Sequence, residues 1–88
     1  MIRRQLTVKL REGVHLRVAT AIVELVEQHR ADVVFEHQSQ QANARSAIEL
    51  LALGLVPGAE VELRAEGPDE ALVMGTLIRL LGDGASGR

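Results

Sequence analysis

The sequence predicts an α+β fold, an open-faced β-sandwich in which a four-stranded antiparallel sheet is covered on one face by three helices in the order βαββαβα. Three observations predict it. Hydrophobic periodicity switches between two and about three and a half along the chain, in the order strand, helix, strand, strand, helix, strand, helix. Each helical segment carries an apolar stripe that must be buried, and one sheet face can cover all three while the other stays solvated. No internal repeat and no long linker divides the 88 residues, so 1–82 reads as one domain and 83–88 as a flexible tail.

The first strand is read from Leu6, Val8 and Leu10 alternating with Thr7 and Lys9. Leu16, Ala19, Ile22, Val23 and Val26 recur at helical spacing, predicting a helix from Leu16 to about Gln28 with Glu24, Glu27 and Gln28 on its wet face. Asp32 to His37 is a strand with Val33 and Phe35 on one face and Val34 on the other. The polar run Gln38-Ser39-Gln40-Gln41 lacks a strong turn signal but leads into a short strand near Gln41 to Asn43. Ser46-Ala47-Ile48-Glu49 has the form of a capping box, predicting a short helix to about Leu53, ended by Gly54. After the Pro57-Gly58 turn, Val61, Leu63 and Ala65 alternate with Glu62 and Arg64 as the last strand. Gly67-Pro68-Asp69 opens the final helix, with Asp69 as its cap and Leu72, Val73, Leu77, Leu80 and Leu81 as its buried face.

Composition excludes several classes of function. Apolar residues make up 47% of the chain and the formal charge is -2, which suits a compact fold. Phe35 is the only aromatic residue, so the stacking platforms of nucleic-acid binders are missing, and nucleic acid is not an expected partner. Without cysteine there is no disulfide, thiolate metal site or cysteine nucleophile, and a reducing cytoplasm is the compartment that fits. No apolar run approaches the roughly twenty residues of a membrane span, and the amino terminus does not read as a signal peptide, so membrane insertion is not expected. His29 and His37 lack a pattern of nearby ligands and read as surface residues; no metal and no cofactor is expected.

Chemistry concentrates in Gly13-Val14-His15-Leu16-Arg17. A neutral imidazole is nucleophilic near neutral pH, so His15 can accept a phosphoryl group on a ring nitrogen. The helix starting near Leu16 leaves amide hydrogens and the positive end of its dipole for an anion, and Arg17 adds a charged, forked donor. Gly13 permits the tight turn that presents the ring to solvent. Taken alone, these residues equally describe a surface histidine beside an arginine.

A second segment changes the balance. Gly13-Val14-His15-Leu16-Arg17-Val18-Ala19-Thr20 and Asn43-Ala44-Arg45-Ser46-Ala47-Ile48-Glu49-Leu50-Leu51-Ala52-Leu53-Gly54 together resemble the phosphohistidine loop and the regulatory-serine segment of the HPr family. These are the histidine-containing phosphocarriers of the phosphoenolpyruvate-dependent sugar phosphotransferase system. Length and element order match over nearly the whole chain. The resemblance implies a phosphocarrier, not a catalyst, in which His15 takes a phosphoryl group from phospho-enzyme I and passes it to an EIIA-type acceptor with Arg17 assisting. It implies a candidate regulatory phosphorylation site at Ser46, served by an HPr kinase/phosphorylase, although capping already explains a serine there. It also implies an apolar docking patch of Leu16, Ala47, Ile48 and Leu51. The alternative is a regulatory module of the same fold that acts by docking. The family pattern places a small residue after its histidine and a proline after its arginine, where this chain has Leu16 and Val18. Glu12 is expected to repel a nearby phosphoryl group unless Arg11 or Arg17 screens it.

Overall fold

The computed structural model describes residues 1–82, and the tail read for 83–88 lies outside the described residues. The elements are β1 (Ile2–Thr7), α1 (Leu16–Glu27), β2 (Asp32–His37), β3 (Gln40–Asn43), α2 (Ala47–Ala52), β4 (Glu60–Glu66) and α3 (Glu70–Leu81). The strands form one sheet in the order β1-β4-β2-β3, every neighbouring pair antiparallel. This is the open-faced sandwich expected from the order of periodicities.

Register decides which face is dry. Leu6 lies opposite Val61, Phe35 opposite both Leu63 and Ala42, and Val33 opposite Ala65. All seven are buried, and against them pack Ala19, Ile22 and Val26 of α1, Leu50 of α2, and Val73, Met74, Leu77 and Leu81 of α3. The core is aliphatic except for Phe35. On the open face the residues between these form charged and polar rows, including Gln5, Glu62, Glu36 and Gln41, with Arg64 3.2 Å from Glu36.

Several boundaries differ from the sequence expectation, each for a local reason. Strand β1 starts at Ile2 and leaves the ladder after Thr7 instead of running to Leu10. Val8 still donates to the Ala59 carbonyl, but the Lys9 amide turns to the Leu81 carbonyl at the end of α3. The alternation of Leu6, Val8 and Leu10 therefore records burial past the end of the strand. In α3 the buried face is Val73, Met74, Leu77 and Leu81, whereas Leu72 is 59% exposed and Leu80 half-buried. At 3.6 residues per turn Leu72 sits roughly 155° around the helix from the centre of that face, which an apolar count alone does not register.

The caps differ too. Ser46 caps α2 as expected, its Oγ accepting from the Glu49 amide at 3.2 Å. The reciprocal arm of the box goes elsewhere: the Glu49 carboxylate accepts from the Asn43 amide at 2.8 Å, while the Ser46 amide donates to the Asn43 carbonyl. Asp69 precedes α3 but makes no side-chain cap; its carboxylate accepts from the Arg30 amide at 2.7 Å, tying the helix start to the end of α1. Among the described residues, no helix is long and apolar enough to cross a membrane.

Candidate functional site

The loop between β1 and α1 is fastened before it reaches His15. Val14 is buried and its amide donates to the Leu55 carbonyl at 2.8 Å. Gly13 has φ +73°, and a Cβ there would lie 2.5 Å from the Leu55 carbonyl oxygen and 3.0 Å from Val56 Cα. Only glycine meets both demands, a left-handed backbone and a close approach to the 55–57 segment.

His15 is the N-cap of α1, in extended conformation, with its side chain 34% exposed. Its carbonyl accepts from the Ala19 amide, the first closed turn of the helix. Its Nδ1 accepts from the Arg17 amide at 3.2 Å, so the ring does what a serine or aspartate does at other helix starts. Because a backbone amide only donates, Nδ1 presents a lone pair and the neutral ring carries its hydrogen on Nε2. The Glu12 carboxylate lies 3.5 Å from that Nε2. No acidic residue stands in the first turn of α1, leaving its amides and dipole open to an anion. Arg17 is exposed, and among the described residues its guanidinium takes part in no hydrogen bond or ion pair. A ring nitrogen with a lone pair, a helix start whose dipole favours an anion and an exposed arginine are thus brought together in residues 15–17.

The other sequence candidates separate by exposure. Leu16 is 63% and Ile48 81% exposed, while Ala47 and Leu51 are half-buried against the core. Leu16 belongs to the apolar count of α1 but stands about 90° from the centre of its buried face, on the outer rim beside His15. Helices α1 and α2 pack against each other, so the starts of both belong to one layer. Val56 is also exposed, next to the Gly13 approach, and belongs to no sequence motif named above; its one signal is an apolar residue immediately before Pro57-Gly58. His29 and His37 each place Nδ1 2.7 Å from a backbone carbonyl, Leu25 and Glu60 respectively, so each ring donates there and is structural. Among the described residues, no three His, Cys, Asp or Glu side chains gather as a metal site.

Comparison with known proteins places the whole chain. A family model described as the PTS HPr component phosphorylation site matches residues 2–83. The HPr-like protein Crh of Halalkalibacterium halodurans is 30% identical over 81 residues, 92% of this chain and 96% of that protein. The phosphocarrier protein HPr of Treponema pallidum is 31% identical over 80 residues, 91% of each chain. Among solved structures, HPr-C-His from Thermoanaerobacter tengcongensis superposes with a TM-score of 0.87 at 26% identity, covering 100% of this chain and 99% of that one. A fold, a histidine-capped helix and a family match that spans nearly every residue lead to one assignment: this chain belongs to the HPr family of phosphocarrier proteins.

Proposed function

We infer that this protein is a stoichiometric phosphoryl carrier: His15 accepts a phosphoryl group from phospho-enzyme I and passes it to an EIIA-type acceptor. The observation that carries the reading is the Arg17 amide donating to His15 Nδ1, which supports Nδ1 as the nitrogen without a hydrogen and aims its lone pair at the start of α1, ready once the amide lets go. Phosphoryl oxygens on Nδ1 would inherit the Arg17 amide and its neighbours, and the Arg17 guanidinium would balance their charge. Nε2 faces a carboxylate and offers none of this. Leu16 and Ile48, both largely exposed, supply the apolar anchors of the docking surface, with Ala47 and Leu51 beneath them.

Incubation with enzyme I and labelled phosphoenolpyruvate tests this directly. The expected product is an acid-labile, alkali-stable label that is absent from His15→Ala. Absence of label on the wild-type protein with a competent cognate enzyme I would overturn the reading. A second reading, a regulatory docking module, is favoured by the bulk of exposed Leu16 beside the histidine and by similarity to a protein named Crh. It gains ground if the unlabelled protein binds an HPr kinase/phosphorylase and takes label on Ser46 alone.

A further inference from the structure

His15 is held from both sides of its ring by groups of opposite kind. The Arg17 amide nitrogen donates to Nδ1 at 3.2 Å, and the Glu12 carboxylate faces Nε2 from 3.5 Å. The first group can only donate and the second can only accept, so both favour the same neutral form, with the hydrogen on Nε2. A separation of 3.5 Å is long for a hydrogen bond, yet the Glu12 side chain is 71% exposed and has room to close it. The repulsion expected of Glu12 from sequence is weakened by this placement, because the carboxylate stands on the side of the ring away from the nitrogen aimed at α1.

We propose that Glu12 is a positioning residue for phosphoryl transfer through His15: it holds the Nε2 hydrogen, keeping Nδ1 as the nucleophile, and attracts the positive charge the ring gains on phosphorylation. The proposal rests on His15 being the phosphoryl acceptor. In the transfer step the Arg17 amide releases Nδ1, whose lone pair forms the bond to phosphorus, and the bond from phosphorus to the donor's leaving atom breaks, its electron pair staying with the donor. The ring keeps its Nε2 hydrogen and becomes an imidazolium, its charge spread over both nitrogens. A carboxylate beside Nε2 attracts that cation more strongly than it attracts the neutral ring, and only such a difference accelerates the step. Run backwards, the same cationic ring is the better leaving group when an acceptor takes the phosphoryl group, so Glu12 serves both uptake and release. Solvent screening of an exposed pair limits the expected gain to about 3- to 5-fold.

The test has one arm that needs no partner. Long-range proton–nitrogen spectra of the histidine ring, recorded where the ring is neutral, distinguish the nitrogen that bears hydrogen from the one with a lone pair. Wild type is expected to show the Nε2–H form, and Glu12→Ala a shift of both ring nitrogens toward a mixture of the two. Glu12→Gln keeps an oxygen acceptor without the charge, and is expected to retain the Nε2–H form while still slowing uptake. Uptake is measured in a single turnover at saturating phospho-enzyme I, so that docking strength does not enter, and unfolding midpoints should match across the three proteins. The role is overturned if Glu12→Ala leaves either the ring spectrum or the uptake rate as in wild type. A wild-type protein that takes no label strikes the carrier reading itself and this role with it. A labelled wild type with an indifferent Glu12→Ala strikes this role alone.

Discussion

The amide of Arg17 donates to Nδ1 of His15, so the residue that begins helix α1 is capped by the ring it presents. On the proposed carrier reading, one hydrogen bond serves both the fold and the chemistry: it satisfies a helix donor that lacks a carbonyl partner and it leaves the hydrogen of the neutral ring on Nε2.

Two substitutions probe the residues around that bond. Arg17→Ala removes the guanidinium but keeps the amide, so the unfolding midpoint should stay within about 0.5 kcal/mol of wild type. Loss of a charged donor to phosphate is expected to cost about 1.5–3 kcal/mol, slowing label uptake by roughly 10- to 100-fold. Val18→Pro tests the departure from the family pattern. Val18 lies in the first turn, where a missing amide hydrogen breaks no helical bond, so a folded protein that still takes label is the expected outcome.

Gly13→Ala should be far more damaging than its size suggests. The added methyl would sit 2.5 Å from the Leu55 carbonyl oxygen at a φ of +73°, so the loop must move or the backbone must change region. A loss of about 1–3 kcal/mol is expected in urea unfolding, together with slower labelling of His15, since the same approach orients the ring.

How much of this was legible in the sequence depends on whether a residue's job is local. Strand β2 and the face carrying Val33 and Phe35 could be read directly, because alternation and burial coincide there. So could the place of His15 and Arg17 at the start of α1 and the Ser46 cap, whose geometry is set within a few residues. The Asp69 carboxylate was misjudged because its partner, the Arg30 amide, is 39 residues away. Leu72 and Met74 were exchanged because several apolar residues in succession leave the helix face ambiguous until the sheet beneath is known. The side of the ring that Glu12 faces was not legible for a similar reason: spacing brings it near His15 but does not say which nitrogen it approaches.

The hairpin between β2 and β3 carries a removable cost. Gln38 and Ser39 have φ of 52° and 68°, the paired left-handed conformation of a two-residue turn, without the asparagine or glycine that adopts it readily. Each non-glycine residue in that region costs about 1 kcal/mol. Replacing the pair by Asn-Gly is expected to raise stability by about 1 kcal/mol, which calorimetry should show as a higher Tm, with label uptake unchanged.

Acid should weaken the start of α3 through Glu70. Its carboxylate accepts from the Gly67 amide at 3.1 Å and lies 3.3 Å from the amino terminus of Met1. The Gly67 hydrogen bond, with the terminal charge, lowers its pKa below the ordinary value of 4.5, burial opposing them in part. Between the lowered value and the ordinary one the unfolded chain binds more protons, so stability rises with pH across that window. The contribution is complete above the ordinary value and is lost as pH falls through the lowered one. Unfolding free energy measured across the acid range should therefore slope less steeply for Glu70→Gln, which keeps an acceptor for Gly67 but does not ionise.

Ser46 sets a cap against a modification site, and the two can be told apart. Ser46→Ala removes the acceptor for the Glu49 amide and should cost about 1 kcal/mol, whereas Ser46→Asp replaces one good cap with another and should restore most of it. Ser46→Ala does not touch His15, so it should still take label from phospho-enzyme I while resisting an HPr kinase/phosphorylase. A phosphate on Ser46 would gain the amides at the start of α2 but would meet the Glu49 carboxylate, which hydrogen-bonds the Asn43 amide at 2.8 Å. Glu49→Gln relieves that repulsion while preserving an acceptor for Asn43. Its phosphorylated form should therefore unfold at a higher temperature relative to its unphosphorylated form than wild type does. Equal shifts in the two proteins would show that Glu49 turns away from the phosphate once it is added.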